Sequence, residues 1–391
     1  MKMKIGFDIS QTGNCKAGCG YFAASLIQTL TELDRENEYL LYPYFGSDFT
    51  DPKANKSTCH ILLPTVQRIV VGDKLVESKL FWENFPDDGE KRLGSPDIVH
   101  ANNYFCPKEL KKAKLVYTLY DLSFLEFPEF TTEQNRWICF NGVFNASVTA
   151  DYIVAISDFS RDKFLEFFPH YPLDRINTVH LGSRFLTVST AGREKKSIRG
   201  LHSGKFWLSV GTLEPRKNLR TLLKAFSKSI RETECQYPLV LTGGKGWLED
   251  DLEVYIEKLG IKNNVKLTGY VPDEDLTWLY KNCLAFIYPS LYEGFGLPVL
   301  EAMSMGAAVI TSNTTSIPEV AGDAACLIDP CDIEQIVGAF ISLSDNDEYR
   351  SRLKINAIEQ ARKFSWEEAA AAMIEIYNHV MSMPKFGNPS L

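Results

Sequence analysis

From Phe206 onward the chain repeats one arrangement: a short apolar run, then glycine or cations, then a helical stretch. Val210 is followed by GTLEPRKN, Leu241 by TGGKG, Leu267 by TGYV and Tyr288 by PSLYEGFGLP. Apolar runs too short for helices, separated by helical patterns, predict parallel strands joined by helical crossovers, and ligands then bind beyond the carboxyl ends of the strands. The expected strands are Phe206 to Val210, Leu239 to Leu241, Val265 to Leu267, Leu284 to Tyr288, Ala308 to Thr311 and Ala325 to Ile328. Less sharply punctuated, the first half alternates in the same way. Its strands are expected at Ile5 to Ile9, Tyr39 to Tyr44, Ile98 to His100, Leu115 to Tyr120 and Tyr152 to Ile156, with a helix from about Gly20 to Leu33.

With 391 residues, 45% of them hydrophobic, the chain exceeds one ordinary core and suffices for two. VSTAGREKKSIRGLHSGK, residues 188 to 205, is polar and basic and reads as a linker. The expected architecture is α/β: two facing Rossmann-like, doubly wound domains, residues 1–187 and 206–365, with a cleft between them. An Ala-rich amphipathic helix after Trp366, within residues 366–391, could pack on either domain, including back on the N-terminal one.

A formal charge of -8 and a pI near 5.5 argue against a general nucleic-acid-binding role, which needs a basic face. Nine scattered cysteines match cytosolic usage, and Cys15 with Cys19 lacks the second pair or histidines of a zinc site. The opening MKMKIGFDIS reads as a buried strand rather than a signal peptide, and no apolar stretch approaches the roughly 20 residues of a membrane span. A cytoplasmic protein, at most peripheral on a membrane, is expected; Lys108, Lys111, Lys112 and Lys114 could touch an anionic surface or simply form a charged loop.

The segment YPSLYEGFGLPVLEAMSMG, Tyr288 to Gly306, is richest in chemistry. Gly294 and Gly296 allow close backbone approach to a ligand, and Pro298 suits the first position of a helix. That helix would turn its amide end toward an anion without needing a metal. Glu293 lies in the loop and Glu301 about one turn into the helix. Arg216 and Lys217 supply cations for a departing diphosphate. An isolated basic pair is usually a solvated helix start; after a strand and a glycine, opposite EGFG, this one reads as a site. DED, Asp273 to Asp275, tempts toward a metal motif but precedes a helix and reads as N-terminal capping.

SVGTLEPRKNLRTLLKAF, TGYVPDEDL and YPSLYEGFGLPVLEAMSMGAAVITSNTTSIPEVAGDAACLIDP together resemble the donor-binding half of glycosyltransferase family 4, retaining enzymes of the GT-B fold. The resemblance covers residues 205 to about 365 well and the first half more loosely. Glu293 and Glu301 reproduce the family's E-x7-E pattern. The resemblance implies that Glu293 contacts the donor sugar, Glu301 the ribose and Lys217 the diphosphate. It also implies backbone contacts from Phe295, Gly296 and Leu297 beside Gly294, base contacts around Tyr270 and Val271, and donor contacts at Gly211, Thr212, Gly243 and Gly244. Many members carry Arg where Thr212 stands, and Arg216 would supply that charge from four residues later.

In the first half GCGYFA fits a dinucleotide fingerprint, but eight residues separate it from the preceding strand, too many for that turn. Gly18, Cys19 and Gly20 better resemble the family's glycine-rich loop, which closes over the donor phosphates. YTLYDLSFLEFPEF resembles a segment where related enzymes often read His-Asp; here the pair is Tyr120 and Asp121. Asp121 either orients an acceptor or holds loop N–H groups, and His100 is ambiguous between site and core.

These residues imply a hexosyltransferase with no cofactor and no metal. Its co-substrate is a nucleotide diphosphate sugar, UDP-glucose preferred and GDP-mannose the alternative, and its acceptor a glycan or lipid-linked glycan. The rivals are a GT-B nucleotide-sugar epimerase, a non-catalytic sugar-nucleotide-binding protein and, least favoured, a dehydrogenase.

Overall fold

The structure is a computed structural model; it describes all residues except 1, 14, 15, 17, 48–50, 52, 73, 109, 186–196, 199, 234, 235, 247–250 and 387–391. Two compact units result. The first comprises Met1–Glu126, Glu133–Gly182 and Ser365–Leu391; the second comprises Phe127–Thr132 and Ser183–Phe364.

Seven parallel strands form the sheet of the first unit: β1 (Lys4–Asp8), β2 (Glu38–Tyr42), β3 (Val66–Arg68), β4 (Ile98–Ala101), β5 (Lys114–Leu119), β6 (Tyr152–Ala155) and β7 (Ile176–Thr178). Their order, β3-β2-β1-β4-β5-β6-β7, reverses direction at β1 and β4, the switch point of a doubly wound sheet. The central strands are buried along almost their whole length, as a sheet covered on both faces requires. β3 and β7 are additions to the expected set; each is a three-residue edge strand without an apolar run. After the second unit the chain returns to the first as the helix Trp366–Ser382, which packs against the helix Gly18–Leu33. His100 is a core residue of this unit: Tyr377 Oη lies 2.6 Å from its Nδ1, and Thr118 Oγ1 lies 2.8 Å from its Nε2. Burial holds its pKa down at about 3, so it stays neutral.

The expected linker falls largely outside the described residues. Its described end carries a two-stranded hairpin, β8 (Ser197–Ile198) with β9 (Leu201–His202). The sheet of the second unit then contains β10 (Trp207–Val210), β11 (Leu239–Thr242), β12 (Val265–Gly269), β13 (Ala285–Tyr288), β14 (Val309–Ser312) and β15 (Cys326–Ile328). All are parallel, in the order β12-β11-β10-β13-β14-β15. The helices Leu219–Glu232 and Ile333–Asp345 pack together over it, with Phe340 against both Trp207 and Phe226. Rings buried this completely contribute about 1.5–3 kcal/mol each. Every candidate loop of this unit leaves the carboxyl end of a strand, so one edge of one sheet gathers them. Among the described residues no helix is long and apolar enough to cross a membrane.

Candidate active site

The loop after β10 is held in place by its own hydrogen bonds. Pro215–Lys217 makes one 3-10 turn, and Asn218 follows at φ 58°, a left-handed conformation that asparagine tolerates. The Asn218 amide donates to the carbonyls of Pro289 (3.1 Å) and Pro330 (2.7 Å). In return, the carbonyl of Arg216 accepts from Leu291 N and Ser290 Oγ, both at 2.9 Å. The turn that carries the cations is thereby tied to the loop that carries Glu293.

Glu293 sits in the middle of a buried charged cluster. Its Oε1 accepts from Lys217 Nζ (2.6 Å), Ser290 Oγ (2.6 Å) and Tyr288 Oη (2.8 Å), and its Oε2 from Arg216 Nη1 (2.7 Å). Arg216 Nη2 also donates to Glu214 Oε1 at 2.6 Å. Burial pushes the Glu293 carboxyl up, but the Arg216 and Lys217 charges, with hydrogen bonds from Lys217 and Ser290, outweigh it and hold the pKa at about 2. Burial and the Arg216 charge lower the pKa of Lys217, against the pull of Glu293 and Glu214. Two carboxylates and two cations leave the cluster formally neutral. Glu214, Tyr288 and Ser290 were not foreseen from sequence; only the proximity of Glu214 to the cation pair could have flagged one of them.

Glu301 lies in a different setting, in the second turn of the helix Leu297–Ser304. Arg184 Nε donates to its Oε1 (2.7 Å) and Tyr280 Oη to its Oε2 (3.0 Å). Arg184 Nη1 reaches Asp273 Oδ1 at 3.0 Å. Burial raises the Glu301 pKa above the ordinary 4.5, and the single Arg184 charge with the two hydrogen bonds only partly offsets it. Asp273 to Asp275 form the first turn of the helix Asp273–Asn282, a position favourable to the helix dipole, while the cap position itself falls on Pro272. Pro298 is the second rather than the first residue of its helix, because Gly296 at φ 108° provides the cap position and Leu297 begins the turn.

Glycines set how close the strand-end loops come to one another. At Gly243 (φ 153°) an added Cβ would lie 1.9 Å from the Gly211 carbonyl oxygen, so these two loops touch backbone to backbone. Lys217 runs past Gly211, its Cε 3.5 Å from where a Cβ would stand. Gly244 faces open space, and Thr212 lies beside Gly246. Of the base-loop pair, Tyr270 is 67% exposed and Val271 buried. Phe295 is buried edge-on against Phe364.

The remaining candidates belong to the first unit. Gly18, Cys19 and Gly20 form the first turn of the helix Gly18–Leu33, which starts two residues before the expected Gly20, so the glycine-rich segment is helical rather than a free loop. Close packing explains the earlier start: an added Cβ on Gly20 would meet Gln11 O at 2.1 Å, while one on Gly18 would meet nothing. Cys15, the other half of the thiol pair, lies outside the described residues. Asp121, just past β5, accepts from Ser123 N (3.0 Å) and Ser123 Oγ (2.8 Å), so it does hold its own loop. Tyr120 Oη donates to Asn102 O.

A family model, Glycosyl transferases group 1, matches residues 193–360. O-antigen chain mannosyltransferase B of Escherichia coli is 37% identical over 283 residues, covering 72% of this chain and 74% of that protein. The serotype-specific mannosyltransferase WbdA of Escherichia coli is 34% identical over 239 residues, 59% of this chain but only 29% of that longer protein. Among solved structures, sucrose-phosphate synthase from Thermosynechococcus elongatus matches with a TM-score of 0.77 at 18% identity, covering 97% of this chain and 100% of that one. The Anabaena protein HepE, in complex with UDP and glucose, matches at 0.73 with 19% identity, covering 96% and 100%. These structural likenesses give the fold, which is GT-B. With that fold, and with the mannosyltransferase likeness running through both units, the chain belongs to the group 1 glycosyl transferases and is a glycosyltransferase.

Proposed function

We propose that the chain transfers a hexose, mannose in the first instance, from a nucleotide diphosphate sugar to the glycan acceptor of a polysaccharide, with retention and without a divalent ion. The observation that carries this reading is the buried cluster in which Glu293 grips Arg216 and Lys217 at 2.7 and 2.6 Å. As the sugar–phosphate bond loosens, negative charge grows on the departing diphosphate, and two fixed cations at the carboxyl end of β10 are placed to stabilise it. Glu293, with a pKa of about 2, is ionised at neutral pH and too weak a base to draw a proton efficiently. Its part is to position the sugar, so the departing phosphate takes the acceptor's proton. The acceptor then enters from the leaving-group side, which retains the anomeric configuration. Glu301 takes the ribose; Gly211, Thr212, Gly243 and Gly244 line the diphosphate path.

The donor preference follows the relatives rather than the wider family: both Escherichia coli proteins are mannosyltransferases, which favours GDP-mannose over UDP-glucose. The acceptor is a free or lipid-linked glycan, met by a cytoplasmic enzyme peripheral to the membrane.

The test incubates the full chain with GDP-mannose or UDP-glucose and a mannosyl acceptor, with and without EDTA, and reads the product's anomeric configuration by NMR. Retained transfer from GDP-mannose that survives EDTA is expected. Inversion, or activity lost to EDTA and restored by metal, overturns the mechanism. An altered free sugar released without acceptor points to an epimerase instead.

A further inference from the structure

The helix Glu133–Thr149 carries a face that the proposed reaction leaves unused. Trp137, Asn141, Phe144 and Val148 follow one another at spacings of four, three and four, a single line along a helical surface. Trp137 is 65% exposed, Phe144 44% and Val148 42%. Phe140, beside that line, stacks with both rings, 6.4 Å from Trp137 and 5.8 Å from Phe144 at interplanar angles of 29° and 18°. Cys139, Val143 and Ala146, on the opposite face, are buried in the core of the first unit. Single exposed apolar residues need no explanation; a ladder of rings in contact is a surface built for an occupant.

Its chemistry selects among occupants. Asn141 lies within the line and Gln134 and Asn145 flank it, while the whole helix holds one acid, Glu133, and one base, Arg136. A helix that lies on an anionic bilayer carries Lys and Arg along its polar face, and this one does not. Neutral amides between aromatic rings match a neutral sugar chain instead. The C–H face of a hexose packs on a ring's electron-rich face, and its hydroxyls exchange hydrogen bonds with amides.

Position supplies the second argument. An added Cβ on Gly142 would lie 1.6 Å from the carbonyl oxygen of Tyr104, so the helix crosses the backbone there, just past the carboxyl end of β4. Trp137 stands five residues nearer the helix start, about 7.5 Å further along the axis. The ladder therefore begins beyond the sheet edge where Asp121 lies and runs back along the flank of the unit.

We infer that this face binds the already assembled part of a neutral glycan acceptor, holding the chain while its end is extended. The inference rests on the glycan-acceptor reading above. Its test uses the full chain with soluble mannan in native gels and linear manno-oligosaccharides of two and six residues as acceptors. Mannan is expected to retard the wild type, and W137A/F144A to abolish the retardation. The double variant is expected to raise KM for the hexasaccharide about tenfold, the order of two lost aromatic contacts. KM for the disaccharide and donor, and kcat, stay unchanged, and W137F restores most of the binding. Thermal melting should fall by only a few degrees, because the two side chains are 65% and 44% exposed and lose little beyond their stacking on Phe140. Equal retardation of wild type and variant, or none of either, overturns the inference. So does a variant that alters only vesicle co-sedimentation or self-association. Ring-dependent retardation without transfer to any acceptor leaves the surface standing and sinks the proposed reaction; transfer indifferent to the rings does the reverse.

Discussion

Glu293 and Glu301 stand eight residues apart, both buried, yet their surroundings drive their pKa values in opposite directions. Burial raises both. Two cations reach Glu293 and reverse that effect, whereas Glu301 has Arg184 alone, with Asp273 adding repulsion. How many cations face a buried carboxylate therefore decides its charge state more than burial does. One end of the E-x7-E segment is a carboxylate held ionised by two cations, the other a carboxyl whose pKa burial raises against a single cation.

The largest expected effect breaks the charged end. Lys217→Ala and Glu293→Ala should each cut kcat/KM on the order of 10²–10³-fold, the range for removing one stabiliser of transition-state charge. Glu301→Ala should act chiefly on donor KM. Steady-state kinetics beside far-UV circular dichroism separates lost chemistry from lost fold, and equal losses at both carboxylates would erase the contrast.

Next comes the dependence of stability on pH. The Glu293 pKa lies below its unfolded value, so its contribution is fully present above about 4.5 and is lost as pH falls toward about 2. Removing one partner of a buried pair costs about 3–5 kcal/mol, so Glu293→Gln should lower Tm strongly at pH 7 and progressively less below pH 4.5. Glu301 has the opposite sign. Its pKa is raised, so its contribution is present below 4.5 and is lost as pH rises through the folded value. Glu301→Gln should cost on the order of 1 kcal/mol or less at neutral pH. Melting curves of both variants from pH 3 to 8 check the two slopes, and parallel slopes would contradict the assignment.

The smallest effect sharpens the Glu301 end. Arg184→Ala removes the charge that restrains the Glu301 pKa, so the carboxyl protonates more readily, and the ribose role proposed for it would weaken. Donor KM should rise a few-fold, on the order of one charged hydrogen bond, and more as the pH is lowered, with kcat held. A KM rise that does not depend on pH would assign Arg184 a purely structural part.

Much of the second unit was legible because its strand ends are punctuated. Gly211, Gly243 and Gly269 each mark the edge where a strand gives way to a loop, and Glu293 with Lys217 could be singled out from the residues around them. Partners that act across space gave no signal. Tyr288 reads as the last residue of a buried strand, and its hydroxyl bond to Glu293 follows only from folding. Arg184 lies 117 positions from Glu301 in sequence. In the first unit β3 and β7 escaped notice because three-residue edge strands bury too little to leave an apolar run. The helix begins at Gly18 rather than Gly20, and the contact that demands a glycine at position 20, with Gln11 O, comes from the preceding turn and leaves no local signal. For Asp121 and His100 the residues alone allow two readings, and only the hydrogen bonds made on folding choose the structural one.

The return of the helix Trp366–Ser382 to the first unit has a consequence for biosynthesis. Phe22 and Gly182 pack against Trp366, and His100 meets Tyr377, so residues translated early wait for partners translated after the whole second unit. On the ribosome, at about 5–20 residues per second, the second unit can complete its core while the first still lacks a wall. A nascent first unit thus exposes the apolar side of Gly18–Leu33 for the time it takes to synthesise the remainder.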